Sequence, residues 1–187
     1  MITRRLFLTA ALAAPVLPAF ASEPRMTDDG LLTQDWFLQS LLELKDDLAL
    51  AGANGKRLAI MWELKGCPYC RETHIKNFGD PAISAYIREH FEVLQLNVIG
   101  ARPVVDFDGA ELSEKALAEK YGVRFTPTFQ FFPESTDTMA GKKPREREVT
   151  RAQGYLEPRH FLALFRFVAE KAYEKTTLRE YLRAQGA

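Results

Sequence analysis

The stretch Trp62-Glu63-Leu64-Lys65-Gly66-Cys67-Pro68-Tyr69-Cys70 decides the architecture. Upstream of it, Leu58-Ala59-Ile60-Met61-Trp62 is a nearly continuous apolar run. That is the pattern of a strand buried on both faces, and it predicts a strand over residues 57–64. Downstream, residues 71–77 predict a helix. Two cysteines three positions apart therefore sit where a strand passes into a helix. They are the only cysteines in 187 residues, too few for a disulfide framework or a Cys-rich zinc site.

This placement has a chemical consequence. At a helix N-terminus, free N–H groups and the helix dipole favour a thiolate, the species that attacks a disulfide. Lys65 and Arg71 add positive charge near Cys67. Cys70, one helical turn on, is expected to be more buried and placed to resolve a mixed disulfide. Pro68 suits the first turn, where its missing N–H is not needed. Two other readings stay open. A purely structural i,i+3 disulfide closes a loop too small to stabilise much. A copper or zinc carrier would use Cys67, Cys70 and His74, which lies four residues after Cys70.

Composition narrows the classes. Lys and Arg number 25 and Asp and Glu number 25, a formal net charge of zero, so there is no electrostatic footprint for nucleic acid. Apolar residues at 47% and charged residues at 27% are globular values. The N-terminus reads as an address: Arg4-Arg5, an apolar stretch with Pro15 and Pro18, then Ala19-Phe20-Ala21. This predicts an export signal, of the twin-arginine kind, cleaved near Ala21. The apolar run is short for a membrane span. Residues 22–187 are then expected to be one soluble domain in an oxidising compartment, the periplasm.

Further from the cysteines, helices are predicted over residues 35–51, with Phe37, Leu41, Leu44 and Leu48 on one face, and over 81–90 behind Asp80-Pro81. Another is predicted from Ser113-Glu114 to Gly122, another over 158–174, and a short one over 177–185. Further strands are predicted over 91–99, 128–132 and 148–153, with a short extended piece over 104–107. Strands separated by helices imply parallel pairing, and the last two, close in sequence, imply an antiparallel pair. Lys142-Lys143-Pro144-Arg145-Glu146-Arg147 reads as a solvated basic loop. Trp62 is expected to pack or to line the rim beside the cysteines. Thr126-Pro127 enters a strand, where a proline is tolerated. Sequence alone favours a trans bond there, because only about 5–6% of X–Pro bonds are cis.

Trp62 to Cys70, then Tyr121-Gly122-Val123-Arg124-Phe125-Thr126-Pro127-Thr128-Phe129, then Gly154-Tyr155, resemble the thioredoxin superfamily in the right order. The resemblance implies a three-layer α/β/α fold with a central mixed sheet, to which this chain adds an N-terminal helix and a C-terminal helical extension. It implies a thiol-disulfide oxidoreductase with Cys67 as nucleophile and Cys70 as resolving cysteine. Pro68 and Tyr69 complete the active-site motif, and Thr126 and a cis Pro127 form the substrate-binding loop. It implies no cofactor beyond the cysteine pair.

More narrowly, the chain is similar to the SoxW-type exported thioredoxins of sulfur-oxidation clusters. That similarity implies disulfide-containing exported partners and recharging by a membrane thiol transporter of the DsbD or CcdA kind. A monomer is expected; a disulfide-forming oxidase is the alternative of the same fold. The Cys-Pro-Tyr-Cys dipeptide is that of glutaredoxins, but Phe125 and Leu156-Glu157 depart from their glutathione-binding pattern. Met61 stands where thioredoxins carry a buried aspartate. Glu63, together with Lys65, is the candidate for tuning the cysteines, although a strand-end glutamate is expected at the surface.

Overall fold

The computed structural model describes residues 23–186. A small hairpin comes first, β1 (Arg25–Met26) paired antiparallel with β2 (Leu32–Thr33). Helix α1 (Leu44–Ala53) leads into β3 (Arg57–Glu63), and α2 (Pro68–Glu72) runs on into a π-helical turn at Thr73–Asn77. Then follow α3 (Pro81–His90), β4 (Phe91–Asn97), a hairpin of β5 (Pro103–Val105) and β6 (Glu111–Ser113), and α4 (Glu114–Lys120). The chain continues through β7 (Thr128–Phe131), β8 (Thr150–Gln153), α5 (Pro158–Ala169) and α6 (Leu178–Ala184).

The central sheet has the order β4-β3-β7-β8. β3 pairs parallel with β4 and antiparallel with β7, and β7 pairs antiparallel with β8. The sheet is therefore mixed, but the parallel pairing inferred from helix-separated strands holds only for β3 and β4. Strand β7 enters from the opposite end.

Every residue of β3 is buried, and its side chains alternate between two cores as the pleat requires. Leu58, Ile60 and Trp62 pack with Leu44 and Leu48 of α1 and Leu117 of α4. Ala59 and Met61 pack with Ile83 and Ile87 of α3 and Phe161, Leu164 and Phe165 of α5. Helices thus cover both faces. The second core is aromatic: Phe165 stands 4.9 Å from Phe91, 5.0 Å from Phe161 and 5.2 Å from Phe131, centroid to centroid. The Phe91 and Phe131 contacts are edge-on, an arrangement aromatic rings favour.

Several helix starts follow local chemistry. The Asp80 carboxylate accepts from the N–H groups of Ala82 and Ile83, and Pro81 follows it. The Ser113 hydroxyl accepts from Ala116, and Thr177 forms a capping box with Glu180.

Two helices differ from expectation. The first begins at Leu44, not near residue 35. Leu42 takes a left-handed backbone (φ 64°), its N–H bonds to the Ser40 hydroxyl, and Ser40 donates to Asp47. This turn breaks the helical face: Leu41 is 94% exposed while Leu42 is buried. The fifth helix stops at Ala169, because Lys171 is left-handed (φ 54°), and a short 3-10 turn follows.

Candidate active site

Strand β3 delivers the chain to the turn Leu64-Lys65-Gly66, where Gly66 has φ 77°, a conformation glycine adopts without cost. Cys67 is the residue before α2, with an extended backbone, and Pro68 occupies the first helical position. Cys67 and Cys70 form a disulfide with their Cα atoms 5.3 Å apart, within the ordinary range. The Cys70 N–H donates to Cys67 Sγ at 3.1 Å. Cys70 is 4% exposed, whereas Cys67 is partly open to solvent. The pair is thus asymmetric in access, Cys67 being the more exposed of the two.

Across from the disulfide, the Thr126–Pro127 bond is cis. The Thr126 carbonyl oxygen lies 3.5 Å from Cys67 Sγ, and its hydroxyl donates to the same sulfur at 3.4 Å. Pro127 is buried, and its carbonyl accepts from the N–H of Gly154 at 2.8 Å, which ties this loop to the end of β8. Tyr69 is exposed and stacks on Tyr155 with centroids 6.5 Å apart. The Lys76 ammonium lies 5.9 Å from the Tyr155 ring centroid. Thr126, distant in sequence, is thereby brought against Cys67, and Tyr155 against Tyr69 of the active-site turn. Lys65 is exposed, and its aliphatic stem lies against Gly30 of the N-terminal hairpin.

Glu63 is not at the surface. It is 1% exposed, at the end of β3. His74 Nε2 lies 3.0 Å from its Oε1, and Gln95 Nε2 donates to its Oε2. His74 is itself fully buried, and Gln34 Nε2 lies 3.2 Å from its Nδ1. Both ring nitrogens of His74 are therefore engaged, and among the described residues no group of three or more His, Cys, Asp or Glu side chains is placed to hold a metal ion. Glu63 and Cys70 border the same small cavity. The network of Gln34, Glu63, His74 and Gln95 is not legible in the sequence because its members come from four separate stretches of the chain. Trp62 does not line the rim. It is fully buried, and its indole N–H donates to Gln130.

The basic loop is tied down in part. Arg147 bonds Asp106 at 3.1 Å and Asp108 at 3.0 Å, linking it to the turn between β5 and β6. Burial pushes the Asp108 carboxyl up, but hydrogen bonds from Lys120 and Arg147 outweigh it and hold the group well below the usual carboxylate range.

A family model described as a thioredoxin-like domain matches residues 44–169. A thioredoxin-fold protein from Helicobacter pylori is 21% identical, with a TM-score of 0.55 over 71% of this chain and 86% of that one. A thioredoxin from Thermus thermophilus is 30% identical over 67% of this chain and 83% of that one, with a TM-score of 0.49. The oxidised C-terminal domain of DsbD from Neisseria meningitidis is 15% identical over 70% and 89%, with a TM-score of 0.41. No curated protein matches the chain. The sheet order, the Cys67–Cys70 disulfide at the end of β3 and the family match over residues 44–169 agree: the chain belongs to the thioredoxin-like domain family.

Proposed function

We propose that this protein is an exported thiol-disulfide oxidoreductase that reduces the disulfides of partner proteins. The carrying observation is the asymmetric Cys67–Cys70 pair, with Cys67 partly exposed beside Thr126 and Cys70 buried.

In the dithiol form, the Cys67 thiolate attacks a partner disulfide. A mixed disulfide forms and one partner sulfur leaves as thiolate. Cys70, deprotonated, then attacks Cys67 Sγ, closing the disulfide seen here and releasing the second partner sulfur. Two electrons pass to the partner, and an external dithiol must restore the pair. Thr126 offers a backbone carbonyl and a hydroxyl beside the reacting sulfur, where an extended partner segment would dock. Glu63 ends β3 and borders the same cavity as Cys70, which makes it the candidate to accept the Cys70 proton.

The N-terminal sequence supports export to the periplasm, although residues 1–22 lie outside the described part of the chain. The motif run from Trp62 to Cys70, together with that export signal, supports service to sulfur-oxidation proteins. A membrane transporter of the DsbD or CcdA kind would supply electrons.

The test is reduction of insulin disulfides driven by an external dithiol. Cys67→Ser should abolish it, and Cys70→Ser should accumulate mixed disulfides with partners. Full activity in Cys67→Ser overturns the reading. Direction is tested separately by equilibration with glutathione: a potential near about −270 mV fits a reductant, and one near about −120 mV an oxidant.

A further inference from the structure

The family match begins at residue 44, so the hairpin of β1 and β2 lies outside it. Yet this hairpin reaches the reactive cysteines. A cavity of about 290 Å³ has Met26, Leu31 and Leu32 on one wall and Cys67, Pro68 and Cys70 on the other. That volume is at the low end for ligand pockets, enough for one or two side chains and too small for a large cofactor.

The wall is built, not draped. Gln34 Nε2 donates to the His74 carbonyl at 3.4 Å, Gln95 Nε2 donates to the Leu32 carbonyl at 2.5 Å, and Asn97 Nδ2 donates to Asp29 at 3.1 Å. Leu31 is 3% exposed and anchors the wall, whereas Met26 is 65% exposed and stands at its edge. Two charged side chains border the space. Glu63 is already engaged by His74 and Gln95, and Arg71 is exposed.

From this arrangement we propose that the hairpin completes a specificity subsite for an apolar side chain that flanks the partner's reactive cysteine. This rests on the oxidoreductase reading above. The occupant follows from the place and the lining. Both cysteines border the cavity, so a group carried next to an exchanging disulfide is the one that arrives there at the right moment. Apart from Glu63 and Arg71 the lining is apolar, with Met26, Leu31, Leu32, Leu64 and Pro68, so a leucine or phenylalanine leaves water there favourably. A lysine would bring its cation towards Arg71 and lose hydration against an apolar wall.

The test uses disulfide-bridged peptides that differ only at the residue flanking the cysteine, on either side: Leu, Gly or Lys. For the reduced protein, kcat/KM for the best-placed Leu peptide should exceed that for Gly by about tenfold, the order set by one apolar side chain in a pocket. Lys should fall below Gly. In Met26→Asp the Leu-to-Gly ratio should collapse towards one, and in Met26→Leu it should persist. A wild-type ratio of one at both flanks, or an unchanged ratio in Met26→Asp, overturns the subsite. Reduction of hydroxyethyl disulfide by the wild type separates the two failures. If it proceeds while the peptides show no preference, only the subsite falls. If it does not proceed, the oxidoreductase reading falls and takes the subsite with it.

Discussion

Glu63 Oε1 and His74 Nε2 lie 3.0 Å apart, with Glu63 1% exposed and His74 fully buried, one at the end of β3 and the other on the helical run that carries Cys70. A buried carboxylate persists only where its lone pairs are met. Here the partners are His74 on one oxygen and Gln95 on the other.

The pair predicts a graded response to truncation. Glu63→Ala leaves His74 Nε2 without its acceptor in a closed site, leaves Gln95 Nε2 only the Leu32 carbonyl, and should cost about 2–4 kcal/mol. Glu63→Gln keeps the shape and one acceptor oxygen and should cost clearly less, about 1 kcal/mol. Urea unfolding of the oxidised protein decides it. Equal midpoints for the two variants would mean that shape, not polarity, holds the site. If Glu63 also takes the Cys70 proton, Glu63→Gln should shift the pH profile of disulfide reduction, which a purely structural role would leave in place.

The loop carrying Arg147 predicts an acid-sensitive tether. The Asp108 carboxyl is held low in the folded state by Lys120 and Arg147. A group with a depressed folded pKa contributes stability above its unfolded pKa of about 3.9, and loses it as pH falls through the folded value. Stability should therefore decline below about pH 4, and Asp108→Asn should flatten that decline. Asp108 is partly exposed, so the neutral-pH cost of the variant is small, under about 1 kcal/mol. Thermal melts from pH 7 to pH 3, wild type against Asp108→Asn, measure it. Parallel curves would refute the tether.

The aromatic core predicts the largest loss. Phe165 is fully buried and meets Phe91, Phe129, Phe131 and Phe161. Phe165→Ala should destabilise by about 3–5 kcal/mol, because four rings cannot collapse into the space it leaves. Phe165→Leu should recover part of this. Denaturant midpoints at a constant slope are the measurement, and a loss below about 1 kcal/mol would contradict the packing described.

Much of this was legible in the sequence where the signal is local. Asp80-Pro81, Ser113 and Thr177 mark helix starts because a side chain caps its own neighbours. The apolar run of β3 and the two cysteines behind it were equally readable. What escaped depends on distant partners. The antiparallel entry of β7 is settled by packing against β3, not by the helix before it. The helix predicted from residue 35 fails at Leu42, whose left-handed backbone is held by Ser40 and buries Leu42 in place of Leu41. Glu63 reads as a surface residue until His74, eleven positions on, and Gln95, 32 positions on, are brought beside it.

Gln34 gives the last prediction. It is 1% exposed, and its amide group donates to the His74 carbonyl and lies 3.2 Å from His74 Nδ1. It thus joins the segment after β2 to the helical run that follows the cysteines. The hairpin itself has only two residue pairs in its ladder, too few to stand alone in water. Its order must come from such ties, so Gln34→Ala should loosen it locally. Amide exchange over residues 25–33 should speed up by about tenfold, the equivalent of about 1.4 kcal/mol of lost local protection, while β3 and β7 keep theirs. Hydrogen exchange resolved by residue reads both regions at once. Faster exchange throughout the sheet would show that Gln34 supports the whole fold, and unchanged exchange in the hairpin would show that Gln95 and Asn97 hold it without Gln34.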